Sequence, residues 1–179
     1  GVQVWKMAYV IGAKYDVFVS FALADNHAGA PGEQGWVARF VTELSIALKT
    51  RLGGTPELKV FFSERDAQGG NFVLEGFADD ARQSALMLSV LSRGYVEMRG
   101  DKQPFTLQEL EAFVAAKGSE RLFGAQILPY YDNDPGHDIL RSKIATKFWY
   151  ETDKGGPATL SPTTAEKTDR YRDLVGDLA

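Results

Sequence analysis

Short apolar runs alternate along the chain with segments in which apolar residues recur every three or four positions. The runs at 15–21, 58–63, 85–92 and 125–131 have the length and the β-branched or aromatic content of strands, whereas 33–51, 72–83 and 105–117 carry the helical period. Strands separated by helices imply right-handed crossovers, and therefore a mainly parallel, doubly wound sheet with helices on both faces. In the first helical segment Trp36, Phe40, Leu44 and Leu48 recur every four residues, Val37, Val41 and Leu52 widen that face, and Gly53-Gly54 ends it. The run from Ala85 to Leu91 is apolar on both faces, as a central strand covered above and below must be.

The last third follows the same logic with weaker signals. Asp132 to Gly136 is a turn cluster, His137 to Ala145 suits a short helix, and Lys147 to Thr152 reads as a fifth strand. Gly155-Gly156-Pro157 and Ser161-Pro162 read as loop. Thr163 or Thr164, with Glu166 placed for a capping box, then opens a closing helix whose apolar face is Tyr171, Leu174, Val175 and Leu178. The expected organisation is an N-terminal extension over 1–14 and a single domain over 15–179.

A chain of 179 residues suits one well-buried domain, and 44% hydrophobic with 25% charged residues indicates neither disorder nor a disulfide scaffold. A net charge of -4 without a basic cluster argues against a nucleic-acid partner. Having no cysteine, the chain has no thiolate nucleophile, disulfide or Cys-ligated zinc. Its two imidazoles, His27 and His137, lie among loop-forming residues, where surface exposure is the expected state and a metal site is not. No apolar leader or membrane-length run is present, so a soluble, cytoplasmic protein without a membrane partner is expected, with Met7 a candidate natural start.

Open parallel sheets bind ligands beyond the carboxyl ends of their strands, which places the loops after Phe21, Ser63 and Ser92 around one expected crevice. The second of these loops holds Glu64, Arg65, Asp66, Gly69 and Gly70 without the Gly-Lys-Ser/Thr ending of a phosphate cradle, and by itself reads as a solvated connection. Glu109 is more specific. Helical pitch places Phe105, Glu109 and Phe113 on one line beside Leu107, Leu110 and Val114, with Gln108 and Glu111 on the other side. A carboxylate in an apolar sector either desolvates or faces a cleft, and both perturb it in ways that accompany function. The same spacing also fits a glutamate at the edge of the stripe, paired with an arginine or capping a neighbouring element.

Several motifs, in order, resemble those of TIR domains. Tyr15-Asp-Val-Phe-Val-Ser-Phe21 followed by Asp25 resembles the first strand and its trailing acidic residue. Phe61-Phe-Ser-Glu-Arg-Asp66 with Gly69-Gly70 resembles the second strand and BB loop. Leu91-Ser-Arg-Gly-Tyr95 resembles Leu-Ser-Pro-x-Tyr with Arg93 in place of proline. Phe105-Thr-Leu-Gln-Glu-Leu110 resembles Trp-Cys-x-x-Glu-Leu with Phe105 for tryptophan and Thr106 for cysteine.

The resemblance spans Tyr15 to the last helix and implies a flavodoxin-like, doubly wound, mainly parallel five-stranded α/β sheet. It also implies an NAD+ nucleosidase of bacterial defence type, with NAD+ as substrate and no cofactor, in which Glu109 is the residue needed for cleavage. Phe21, Ala22 and Asp25, with Trp36, Asp66 and Gly70, are the expected substrate contacts, although Trp36 fits equally a core anchor of its helix. The implied partners are further copies of the chain, through TIR–TIR contacts, and a sensor domain or protein outside it. Two other classes compete: a TIR module that serves only homotypic contacts, and a phosphorylatable receiver domain. The receiver would need an aspartate where Ser92 stands and an acidic pair where Phe21 and Ala22 stand.

Overall fold

Tyr15–Phe21 forms the first strand, β1, and its alternation divides the molecule. Val17, Val19 and Phe21 point into one apolar cluster, whereas Phe18 belongs to the other. The computed structural model describes residues 8–28, 31–54, 57–62, 74–98, 100–130, 137–141, 145–161 and 168–179. After β1 come a 3-10 turn at Leu23–Asp25, α1 (Trp36–Arg51), β2 (Val60–Phe61), α2 (Leu74–Arg82), β3 (Ser84–Leu91), α3 (Arg93–Val96) and α4 (Phe105–Lys117). A second 3-10 turn at Ser119–Arg121 leads into β4 (Leu122–Gln126), followed by α5 (His137–Arg141), β5 (Thr146–Lys147), β6 (Trp149–Glu151), β7 (Pro157–Thr159) and α6 (Thr168–Leu178).

Strands β1 to β5 form one sheet in the order β2-β1-β3-β4-β5, every pairing parallel. This is the flavodoxin-like doubly wound order, and the direction of winding reverses between β1 and β3. One face packs on α1 and α6 through Trp36, Phe40, Phe148 and Tyr171, whose rings meet at centroid distances of 5.0 to 6.2 Å. The other face packs on α4 through Leu107, Leu110 and Phe113, all fully buried. Phe61 joins this layer by stacking on Phe18 at 4.8 Å and meeting Phe77 edge-on.

Buried polar ties hold the ends of the elements. The Asp16 carboxylate, 2% exposed, accepts the backbone N–H groups of Tyr9, Val10 and Lys59 at 2.7 to 2.9 Å, which ties the segment before β1 and the entry to β2 to one point. At the start of α1 the Asn26 side chain accepts from Ala38 N–H at 3.0 Å, and the His27 carbonyl accepts from Trp36 N–H. The helix ends at positive φ in Gly53 (85°) and Gly54 (79°), with Gly54 N–H returning to the Lys49 carbonyl.

Several expected boundaries move. The fifth strand is only Thr146–Lys147, because fully buried Phe148 turns the chain into the core between α1 and α6. Its N–H still bonds Gln126 O at 2.7 Å, but its carbonyl accepts from Leu160 N–H, so 149–151 leaves the main sheet. That segment pairs antiparallel with Pro157–Thr159, which the sequence reading placed in a loop. β4 starts at Leu122, earlier than expected, since it must run alongside β3 from Met87 onward. Leu52 lies past the last turn of α1 and is 40% exposed, not part of its packing face. The proposed cap at Thr163, Thr164 and Glu166 lies outside the described residues, as does the turn at 132–136.

Gly35 marks where α1 can begin. A Cβ there would stand 2.6 Å from the Asn26 backbone oxygen and closer still to its side chain. Gly35→Ala should therefore lower unfolding free energy by about 1–3 kcal/mol as the capping loop is displaced. Asn26→Ala, which removes only the cap, should lower it by about 1 kcal/mol. Urea denaturation of both variants checks this ordering.

Candidate functional site

Ser20 is the last residue of β1 to point toward α4, and parallel pairing sets it directly beside Ser89 of β3. The two serines straddle the switch point near the carboxyl edge of the sheet, where ligands of such sheets bind. Both are fully buried, at 1% and 0% exposure. Tyr95 of α3 reaches over them. Its hydroxyl donates to Ser20 Oγ at 2.9 Å and lies 3.0 Å from Ser89 Oγ. Ser20 Oγ in turn donates to Glu109 Oε2 at 2.6 Å.

Glu109 reaches this point because α4 lays Thr106, Leu107, Leu110 and Phe113 against the sheet and keeps Glu109 half-buried at the edge of that face. Phe105 does not share its environment. Helical side chains lean toward the N-terminus, so the first residue of α4 leans past the end of the helix and is 53% exposed. Glu111 is exposed and accepts from Gln103 Nε2 at 2.7 Å. The separation of the two carboxylates onto different faces is as the helical pitch requires.

Tyr95 is held at every polar atom. Its N–H faces Ser92, which caps α3, with Ser92 Oγ at 3.3 Å, and its carbonyl accepts from buried Thr106 Oγ1. Burial pushes its hydroxyl well above the usual tyrosine range, the bonds to Ser20 and Ser89 oppose this, and the nearby Glu109 charge adds to it. The phenol therefore keeps its proton and acts as a donor.

The loops after β1 and β3 meet, as expected, and are tied together by a hydrogen bond from Ser92 Oγ to the Asp25 carboxylate. Asp25 is 7% exposed, and burial raises its pKa, while the Ser92 bond and the His27 charge act in the opposite sense. Its side chain serves the loop–loop tie. Ala22 sits by the same junction: a Cβ at Gly94 would stand 3.5 Å from its own. Phe21 points to the opposite face of the sheet from Ser20 and Glu109 and stacks on Phe62 at 5.0 Å. Trp36 is the core anchor, 9% exposed, stacked on Phe40 and donating its indole N–H to Leu160 O at 2.8 Å.

Asp66 and Gly70 lie outside the described residues, as does the rest of 63–73. The sequence reading gave no role to Ser20, Ser89 or Tyr95. Their signal was hydroxyls inside otherwise apolar strands and in the turn that follows, which burial obliges to find partners. Among the described residues no group of three or more His, Asp or Glu side chains is placed to hold a metal ion. No helix among them is long and apolar enough to cross a membrane.

No protein-family model and no curated protein matches the sequence. Among solved structures the chain is similar to the TIR domain of the Toll-related receptor TRR-2 from Hydra magnipapillata. That likeness has 18% identity and a TM-score of 0.43, covering 89% of this chain and 98% of that one. It is also similar to the TIR domains of the activated Roq1 resistosome directly recognizing the pathogen effector XopQ. There the identity is 15% and the TM-score 0.40, covering 92% of this chain and 82% of that one. At these identities neither assigns a role to a side chain here.

The buried Asp25 carboxyl makes a signed prediction. Its native pKa lies above the ordinary 3.8, so the native state holds this proton to higher pH than the unfolded chain does. Its contribution to stability is fully present below 3.8 and is lost as pH rises through the raised native value. Asp25→Asn keeps an acceptor for Ser92 without that titration. The stability of the parent relative to this variant should fall as pH rises from below 3.8 through the raised native value. Urea midpoints of both proteins across that range measure it, and parallel curves would show that Asp25 does not titrate in this way.

Proposed function

We propose that the chain is a TIR-type NAD+ nucleosidase that breaks the nicotinamide–ribose bond with Glu109 as its catalytic carboxylate. One observation carries the reading: Glu109 stands half-buried at the carboxyl edge of a parallel sheet, beside its switch point, with one oxygen held at 2.6 Å by Ser20. The motif resemblance points to the same residue from an independent direction.

The chemistry needs little else from the protein. Nicotinamide leaves NAD+ as a neutral molecule from a cationic ring nitrogen, so no acid is required to protonate it, unlike the oxygen of an ordinary glycoside. As the bond breaks, positive charge develops on the ribose. A fixed carboxylate beside it stabilises that charge and accepts hydrogen bonds from the ribose hydroxyls, and it does so more effectively where water is partly excluded. Capture of the ribosyl cation by water gives ADP-ribose, and capture by a group of the same nucleotide gives a cyclic product. On this reading Ala22, at the meeting of the loops after β1 and β3, borders the leaving-group end.

Glu109→Gln retains size and most hydrogen bonding but removes the charge. Nicotinamide release should fall about 10²-fold or more, as when an aimed electrostatic group is deleted elsewhere. Glu111→Gln, on the solvent side of the same helix, should change it little. Equal losses from both variants, or release at the parent rate from Glu109→Gln, would instead leave the chain a TIR interaction module.

Self-association and activation by a sensor outside this chain belong to the same proposal, with the segment around Gly70 as the contact. Specific activity should then rise with protein concentration, paralleled by the assembled fraction in light scattering. Constant specific activity from a strict monomer would remove this part and leave the assignment of Glu109 intact.

A further inference from the structure

Tyr95 is a fully buried ionisable side chain that the proposed reaction does not use, and its hydroxyl sits between two buried serines. Counting protons gives these contacts a direction. An ionised carboxylate only accepts, so Ser20 commits its single hydroxyl proton to Glu109. Ser20 Oγ must then accept, and Tyr95 donates to it. With its proton committed, Tyr95 Oη accepts from Ser89. The resulting order, Ser89 to Tyr95 to Ser20 to Glu109, runs one way over 3.0, 2.9 and 2.6 Å, the bonds shortening toward the carboxylate.

We propose that this hydroxyl relay is the positioning device of the active site, with Tyr95 holding Ser20, and through it the Glu109 carboxylate, in one orientation and in its charged form. The proposal rests on the nucleosidase reading for its consequence in catalysis, but not for its existence. Each member is pinned independently of Glu109. Ser20 and Ser89 are fixed by strand register, and Tyr95 by Ser92 at its N–H and Thr106 at its carbonyl. Bonds in series polarise one another, and around the fully buried Ser20, Ser89 and Tyr95 no solvent molecule replaces a lost member cheaply. A donor aimed at the carboxylate favours its charged form.

Several other charged side chains stand on the elements around Glu109 among the described residues. On α2, Asp79 pairs with Arg82, and Asp80 pairs with Lys14. On α3, Arg93 lies 3.6 Å from Glu97, and beyond β1 Asp25 holds Ser92. On α4 and its approach, Glu111 is bound by Gln103, Asp101 and Lys102 are exposed, and Lys117 is two turns further along.

The test is a titration of the Glu109 carboxyl by NMR on protein labelled with 13C at the glutamate carboxyl carbons. The signal is identified by its loss in Glu109→Gln. Ser20→Ala, Tyr95→Phe and Ser89→Ala remove successive members, and Tyr95→Phe keeps the buried ring. The apparent pKa of Glu109 should rise by about one unit in Ser20→Ala, less in Tyr95→Phe and least in Ser89→Ala. The acid limb of nicotinamide release should move upward in the same order. A merely structural role would lower melting temperatures without this graded order in the titration.

An unchanged Glu109 titration in folded Tyr95→Phe and Ser89→Ala overturns the relay, whether or not NAD+ is cleaved. A graded titration in a protein that cleaves no NAD+ upholds the relay and removes the nucleosidase reading.

Discussion

Ser20 and Ser89 lie side by side on the two central strands, on the face that α4 covers, where water does not reach. Each hydroxyl left without a partner there would cost about 1–3 kcal/mol, and among the described residues no buried side-chain nitrogen or oxygen is left so. Much of the local architecture answers that requirement. Tyr95 must lie over the serines, so α3 must follow β3 at once, capped by Ser92. The Tyr95 carbonyl then takes the Thr106 hydroxyl, which sets the first turn of α4 and brings Glu109 to the end of β1.

The two faces of the sheet therefore do different work. Toward α1 and α6 the contact is aromatic and apolar, with Trp36, Phe40, Phe148 and Tyr171 interlocked, and its polar bonds serve to end or join elements. Toward α4 an equally apolar layer carries a polar seam at its carboxyl edge. A seam in a water-excluding layer is rigid, because its groups have no alternative partners. Rigidity of that kind suits the role proposed for Glu109, since a carboxylate that had to reorient during a reaction would lose much of its effect on a developing cation.

The place of Glu109 beside Leu107, Leu110 and Phe113 was legible because helical geometry is local, but the spacing fitted an edge glutamate as well, and its candidacy came from the motif resemblance. Trp36 stood open in the sequence between a substrate contact and a core anchor, and its burial against Phe40 makes it the anchor. The hydroxyls of Ser20, Ser89 and Tyr95 were not legible, because a serine in an apolar strand reads the same whether it meets a partner or solvent. Phe21 was expected among the substrate contacts, as the resemblance implies. The pleat of β1 places it on the other face, against Phe62. Asp25, expected at the substrate, is drawn inward by Ser92, a residue distant in sequence.

Period and composition determined the alternation of strands and helices, the parallel doubly wound class, the helix that carries Glu109 and the face on which that residue lies. These follow from interactions within a turn or a strand, which neighbouring residues settle among themselves. Tertiary structure decided the rest: the pairing of Ser20 with Ser89, the reach of Tyr95 across both, and the departure of 149–151 into its own hairpin. Register between strands and the burial of hydroxyls depend on residues far apart in the chain. The energy of a polar group there is set by which distant partner arrives, and by whether water arrives with it.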